Sequence, residues 1–580
     1  MEIYEKLVAV NDSWVEDGLN KQVLDSNSEY YGGVTDPENG IAWPSHGGTP
    51  MVMAILAAAL INKDSIYYHD AELLSRLELG AEYMLRFQHE DGTISPGWTN
   101  LHSPPDTGFV VVGLAQVYEL LVAQRWEPLQ KSTTAIRLFL DRTIPALITG
   151  GCHTPNHRWV MTAALGFMYK LTGKPVLLER GQQWLAEGMD CTEDGEWTER
   201  SNGIYNAVSD VMLYHASKLF DRVDLLEPVR RNLRMMSYLV HPNGEVVTDY
   251  SGRQDFGQSY DMASYLLVSK LMACEDHDPL FAAIAELAGQ ATTHPGMLPN
   301  NAMVGYLLYP QLSEHLVEAG ELPQSYRVII NREFPREHYL SDMETAGHGG
   351  RIYHSRLHPD FGAPVARQRE GDTSVTAMTE TNSFFALRHG AARLLAVQIA
   401  TSFEPGFIKM EHMEVLDDGY LLSGSESKGY YSPVPTDQLP ITASGAISPW
   451  YLLPHHLREI THEQHHSVQV KLTEQADGWK IHLIGQEPER MMAQVTFVFG
   501  GEGAFSGAAL APAMAEAQFW TEGTIRYESG NDWMELDGGA QQHLAKEIRN
   551  TSYAKGCQTL VVNLMTPYDR EFNIRLSPNK

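Results

Sequence analysis

A chain of 580 residues is longer than one hydrophobic core usually supports, so two or more domains are expected. With 43% hydrophobic and 20% charged residues, the composition is that of a globular protein without a long disordered segment. The 43 Lys and Arg against 73 Asp and Glu give a net charge of -30, which excludes a general nucleic-acid binder or a long electropositive groove, but not one small anionic group on a few local arginines.

The chain begins MEIYEKLVAVNDSW, without the basic and apolar regions of a secretory signal. The longest apolar stretch, around Met51 to Ile61, is too short to span a bilayer and reads as a buried helix. Cys152, Cys191, Cys274 and Cys557 are scattered with no CxxC pair, so no disulfide framework or cysteine zinc site is signalled. The expectation is a cytoplasmic protein with no membrane partner, the alternative being a trimmed secreted chain. The oligomeric state is open.

Through about residue 325 the pattern is helical. PMVMAILAAALI, AELLSRLELGAEYMLRFQ, GFVVVGLAQVYELLVAQ, RWVMTAALGFMYKLTG and MASYLLVSKLMACE carry apolar residues at helical spacing, separated by Gly, Pro, Asn and Asp clusters. FQHEDGTISPGW, GMDCTEDGEWTERS and MSYLVHPNGEVVTDYS each end a helix, turn at Asp-Gly or Asn-Gly and run into a polar loop. The turn residues Asp91, Asp194 and Asn243 stand 103 and 49 residues apart, which fits a unit near 50 with one degenerate copy between. About six helix pairs of this kind predict a closed or nearly closed α/α toroid, in preference to an open solenoid whose repeats are more alike.

From about residue 326 to 580 the texture changes to short β-branched and aromatic runs, among them RVIINREF, HSVQVKLTEQ, GWKIHLIG, AQVTFVFGG and CQTLVVNLMTP, bounded by turn residues. They predict an antiparallel β-sandwich, and the whole chain an α+β, two-domain protein divided near 325, with a cleft between the domains. Neither a GxGxxG nor a GxxxxGK[ST] loop is present, so no nucleotide cofactor is expected, nor any other.

The chemistry-bearing residues gather in the loops that end the helices. HTPNHRWVMTAAL supplies His153, Asn156, His157, Arg158 and Trp159 at a helix start, where a simple helix cap is the plainer alternative. DGEWTERSNGIYNAVSD supplies Trp197, Glu199, Arg200, Ser201, Asn202, Tyr205 and Asn206 one repeat later.

NHRWVMTAAL, LTGKP and DGEWTERSNGIY together resemble the heparinase II/III-like polysaccharide lyases. In that family a helix with Asn-His is followed some forty residues on by a D-G-x-x-x-E-x-S-x-x-Y stretch. Tyr205 is displaced one place from that pattern by Gly203. The resemblance implies β-elimination at a uronic acid, with an oligosaccharide or polysaccharide as partner. That chemistry needs a group that neutralises the carboxylate, which an Asn or an Arg can do, a base for the C5 proton and an acid for the leaving oxygen. By the resemblance Asn156 neutralises the carboxylate, His157 assists, and Tyr205 is acid, base or both. Relatives also place a catalytic His at the start of the β-domain in a His-Gly-His-x-Asp setting, which this chain lacks. The nearest stretch, GHGGRIYHSRLHPDFG, offers His354 as a base reaching across the cleft and Arg351 as a substrate contact.

Other loops add candidate sugar contacts: Trp43 and His46, then Trp98, His102 and Asp106, then Arg253, Asp255, Tyr260 and Asp261. Exposed Trp and Tyr beside polar groups suit sugar rings, which have an apolar face and hydroxyl edges. Asp106, Glu199, Asp255 and Asp261 also keep open a glycoside hydrolase with two carboxylates. A non-catalytic glycan-binding protein is the third reading. His462, Glu463 and His466 satisfy H-E-x-x-H, but the following HSVQVKL begins a strand rather than continuing a helix, so no metal is expected.

Overall fold

Two kinds of helix alternate along the first half of the chain, and their burial tells them apart. The computed structural model describes residues 3–314, 317–346, 357–439, 450–514 and 517–578. The helices are α1 (Ile3–Lys21), α2 (Thr49–Ile61), α3 (Ala71–Phe87), α4 (Pro104–Ala123), α5 (Gln130–Thr149) and α6 (Pro155–Thr172). They continue with α7 (Pro175–Leu185), α8 (Tyr205–Leu219), α9 (Leu226–Met236), α10 (Leu266–Asp276), α11 (Pro279–Ala291) and α12 (Ala302–Leu308). In α2 every residue but Met51 is buried, whereas α7 buries only Leu177, Gly181 and Leu185, a single stripe four residues apart. A helix apolar all round must be walled in, and a one-stripe helix must face solvent.

The contacts follow from that difference. Each even-numbered helix packs on the next, α2 on α4, α4 on α6, α6 on α8, α8 on α10, α10 on α12, and α12 returns to α2, so six inner helices close a ring. The odd-numbered helices stand outside. At the seam, Lys6 Nζ donates to the carbonyls of Gly289 and Gln290 (2.9 and 2.6 Å) and Trp14 Nε1 to that of Thr293 (3.0 Å), which ties α1 to the end of α11. Among the described residues α4 is the one helix long and apolar enough to cross a membrane by length and composition. It exceeds the Met51–Ile61 stretch in length, and 78% of its most apolar window is buried in the protein, as an inner helix of a ring requires.

The division between the two compact units is crossed three times. Met1–Gln324 and Glu333–Gly362 belong to the helical unit, while Ser325–Arg332 and Ala363–Lys580 form the β unit. The boundary expected at 325 is thus only the first crossing. The returning segment carries a helix at Arg336–Thr345 and is held by Phe334, whose ring packs on Tyr339 and Phe361 at 5.0 and 5.2 Å.

In the β unit, Ser325–Ile330, Val365–Glu370, Thr373–Met378, Phe385–His389 and Ala392–Thr401 pair antiparallel in chain order. Ala392–Thr401 then pairs with Met492–Phe499, and the ladder continues unbroken to His412–Leu416. Ala517–Ser529 and Gln558–Met565 run parallel, the one departure from antiparallel pairing among the named strands. Trp479 packs on Phe385 (5.6 Å) and Phe497 on Phe572 (5.1 Å), residues far apart in strand order. The two layers expected of a sandwich are therefore halves of one twisted, sixteen-stranded sheet folded over its own apolar face.

Candidate active site

Three turns built alike set the rim on which the site stands. At His89, Thr192 and His241 the backbone N–H donates to the carbonyl four residues on. The carbonyl of each receives the N–H of Gly92, Gly195 or Gly244. These glycines have φ of 84°, 97° and 87°, and a side chain on Gly92 or Gly195 would run into the carbonyl of Arg142 or Arg231 on the next outer helix. The Asp-Gly and Asn-Gly repeat is thus the seat of each outer-helix end on its neighbour.

Beyond the turns the chain reaches the N-terminal ends of inner helices, and these ends are neighbours. The His46 ring, just before α2, stacks on Phe109 of α4 at 4.7 Å, and Phe109 meets His157 of α6 edge-on at 6.0 Å. His153 lies against His157 at 4.9 Å. Burial lowers the pKa of His46, with Asp106 partly opposing, which favours the neutral ring. Phe109 gave no sign in the sequence, being one apolar residue in an apolar helix.

The sharpest constellation joins α6 to α8. The Glu199 carboxylate accepts the Asn156 backbone N–H (2.9 Å) and side-chain amide (2.6 Å) through Oε2, and Arg253 Nη1 binds its Oε1. The Asn156 amide also donates to Thr154 Oγ1 at 3.2 Å. Thr154 stands at the N-cap of α6 without a side-chain cap bond, so Glu199 caps this helix from 43 residues away. The Arg253 guanidinium lies 4.4 Å from the centroid of the Tyr205 ring. Burial, then the Asp255 carboxylate, raises the Tyr205 pKa, so the phenol keeps its proton.

Asp255 is fully buried and holds the Tyr205 loop. It accepts from Ser201 Oγ (2.9 Å), Ser251 Oγ (2.8 Å) and the Gly203 N–H (2.9 Å). The Tyr260 ring lies where a Gly203 side chain would be, and its own pKa is raised by burial and Asp255. Ser201 stood among the polar residues of the DGEWTERSNGIY stretch, but Ser251 gave no sign in the sequence, because a hydroxyl serving a buried carboxylate has no motif of its own.

Several expected sugar contacts are engaged within the protein. Trp159 is fully buried and donates to Asp190 Oδ1 (3.1 Å), so it offers no face to a sugar. Arg158 is paired with Asp190 and Glu187 at 2.8 and 3.3 Å. Arg200, 1% exposed, meets Glu196 and the Asp360 carbonyl at 3.3 and 3.0 Å and covers the Tyr250 ring. These three brace loops instead of facing a ligand. Asp106 accepts from Ser103 Oγ (2.5 Å) and Asn100 Nδ2 (2.9 Å) in a cap at the start of α4 that the S-P-P-D string spells out. Asp261 is exposed and accepts the Ala263 N–H at 2.8 Å. His102 stacks on His89 and meets Asp91 at 3.0 Å, at the first repeat turn. Trp98 is half exposed, and the Trp43 ring packs on Gly97. His354 and Arg351 lie outside the described residues.

His462 and Glu463 are exposed on the strand Ile460–Gln475, while His466 is buried with Nδ1 on the Glu487 carbonyl at 2.6 Å. Among the described residues no three of His, Cys, Asp and Glu are placed to hold a metal ion.

No protein-family model and no curated protein matches the chain. Solved structures do match along its length. The Streptomyces coelicolor A3 chondroitin AC lyase in complex with chondroitin sulphate has a TM-score of 0.53 at 11% identity, over 100% of this chain and 80% of that one. A heparinase III has a TM-score of 0.50 at 9% identity, over 98% and 84%. A Paenibacillus xanthan lyase has 0.51 at 10%, over 99% of this chain and 57% of that one. These likenesses define the class by architecture: a helical domain followed by a β domain, the fold of polysaccharide lyases. The chain shares that fold, as its sequence resemblance to the heparinase II/III-like lyases implied.

Proposed function

We propose that the protein is a carbon–oxygen lyase that cleaves a uronic-acid-containing oligosaccharide or polysaccharide by β-elimination at the rim of the helical unit. The observation that carries this reading is the Tyr205 phenol, kept protonated by burial, with the Arg253 guanidinium 4.4 Å away and Asn156 and Glu199 adjoining. Elimination removes the C5 proton, breaks the bond from C4 to the bridging oxygen, and leaves a C4=C5 double bond, with no water added. A cation beside the sugar carboxylate stabilises the charge that develops as C5 is deprotonated. Tyr205 is suited to give its proton to the departing oxygen. His157 assists, and His354 is the candidate base. The shared fold of a chondroitin AC lyase holding chondroitin sulphate supports the substrate class.

The hydrolase alternative lacks a ready pair of carboxylates. Asp255 and Glu199 each carry three protein donors, Asp106 has Ser103 and Asn100, and Asp261 caps a backbone N–H.

The test is a panel of uronic-acid oligosaccharides followed by ultraviolet absorbance and mass in isotope-labelled water. Rising absorbance from a C=C conjugated to the carboxylate, without label, is the expected result. Labelled product without an absorbance gain would sink elimination.

A further inference from the structure

The elimination reading leaves open which group receives the sugar carboxylate, and the hydrogen bonds of Asn156 bear on it. Asn156 is 1% exposed. Its backbone N–H and one amide hydrogen go to Glu199, and the amide nitrogen also meets Thr154 Oγ1. A carboxamide nitrogen has two hydrogens, so both are engaged. Turning the amide over would set Oδ1 against a carboxylate oxygen at 2.6 Å with no proton between them, so Glu199 fixes the orientation. A carboxylate already occupies the donors with which Asn156 would meet a substrate's.

Arg253 is placed differently. Its side chain is 23% exposed, it meets Glu199 through Nη1, and it lies over the Tyr205 ring. A guanidinium has five N–H donors in a planar fork, matched to a carboxylate. The order of contacts runs from the start of α6 through Asn156 and Glu199 to Arg253 and Tyr205.

We propose that Arg253 receives the carboxylate of the uronic acid, and that Asn156 is a positioning residue behind it, acting through Glu199. This rests on the lyase reading. It assigns to Arg253 the role that the family resemblance gives to Asn156.

The experiment compares binding of a uronate oligosaccharide with binding of the same oligosaccharide reduced at its carboxyl to a neutral alcohol, by calorimetry, in R253Q, R253K, N156A and N156A/R253Q. The wild-type protein is expected to prefer the uronate. In R253Q that preference falls about tenfold or more, and R253K restores part of it, because the ammonium keeps the charge without the fork. In N156A it falls less than about threefold, since the backbone N–H of residue 156 still holds Glu199. The double variant matches R253Q alone, as expected when one residue acts through the other; a merely structural role for Asn156 would weaken both ligands and add to the loss. Asn156→Ser replaces N156A should the latter not fold. Preference lost in N156A and kept in R253Q overturns the proposal and leaves the uronate reading intact. A wild-type protein that binds both oligosaccharides equally overturns the uronate site itself, and with it the lyase reading.

Discussion

The carboxylate of Glu199 receives both the backbone N–H and the side-chain amide of Asn156, 43 residues before it in the chain. One side chain thereby caps α6, ties it to the loop that leads into α8, and holds Arg253 over Tyr205.

Truncation of Glu199 is therefore expected to loosen the start of α6 and the Tyr205 loop together. Glu199→Ala leaves two buried donors of Asn156 without their acceptor and the partly exposed Arg253 without its counter-ion. The expected cost is about 2 kcal/mol, below that of breaking a fully buried pair because Arg253 reaches solvent. Urea unfolding measures it. A change under about 0.5 kcal/mol would mean that water replaces Glu199 at the helix start and that its capping role is minor.

On the proposed elimination, Tyr205 is expected to set the upper pH limit of the reaction. Its folded pKa lies above the ordinary 10, because burial and Asp255 disfavour the phenolate. As a proton donor it stays competent up to and past pH 10. Tyr205→Phe is expected to lower the elimination rate by about a hundred- to ten-thousand-fold with little change in stability. The pH–rate profile of the wild-type protein should show no loss from Tyr205 ionisation below pH 10. A rate that climbs with pH between 8 and 10, and no longer climbs in the Phe variant, would instead mark the phenolate as base and the proton donor as another group.

The repeat and the helix pairs were legible because they rest on local signals. Asp-Gly and Asn-Gly turns need a residue at positive φ, and an apolar helix such as α2 differs visibly from a one-stripe helix such as α7. The density of polar residues at helix starts likewise pointed to Asn156, Glu199, Tyr205 and Arg253. What those residues do to one another was not legible. Trp159 looks like a sugar platform until its ring is found inside the protein, and Arg158 and Arg200 look available until Asp190, Glu187 and Glu196 take up their guanidinium groups. Partnership between loops 43 to 54 residues apart depends on how repeats stack, which no single stretch encodes. The return of Glu333–Gly362 to the helical unit escaped notice for the same reason.

A buried histidine gives the helical unit an acid limit. His215 on α8 is 1% exposed, its ring packed against Phe167, and burial together with Lys170 lowers its pKa from 6.5 to about 4. The folded pKa is the lower one, so the unfolded chain takes the proton first. This contribution is fully present above pH 6.5 and is lost as pH falls from 6.5 towards 4. Between pH 7 and pH 5 the loss is on the order of 2 kcal/mol. His215→Gln, which does not titrate, should flatten the stability curve by that amount over the same interval. Identical pH slopes in urea melts of the two proteins would show that His215 is solvated or otherwise compensated on protonation.

Gly97 makes a test of Trp43 possible without touching the tryptophan. Its φ is 91°, and a Cβ there would come within 1.9 Å of the Trp43 ring. Gly97→Ala thus combines backbone strain of about 1 kcal/mol with an overpacking cost of about 1–3 kcal/mol, and the ring must move. Gly188 separates the two effects, since its φ is 82° and nothing lies within 4 Å of a Cβ built on it. Gly188→Ala should therefore cost only the strain. With 5-fluorotryptophan incorporated at the 11 tryptophans, Gly97→Ala should shift chiefly the Trp43 resonance, and Gly188→Ala should leave that resonance in place. If Trp43 is a platform for a sugar ring, Gly97→Ala also weakens oligosaccharide binding, while Gly188→Ala leaves it unchanged. A displaced Trp43 resonance with unaltered binding would remove this residue from the sugar contacts and restrict its role to packing the loop ahead of α4.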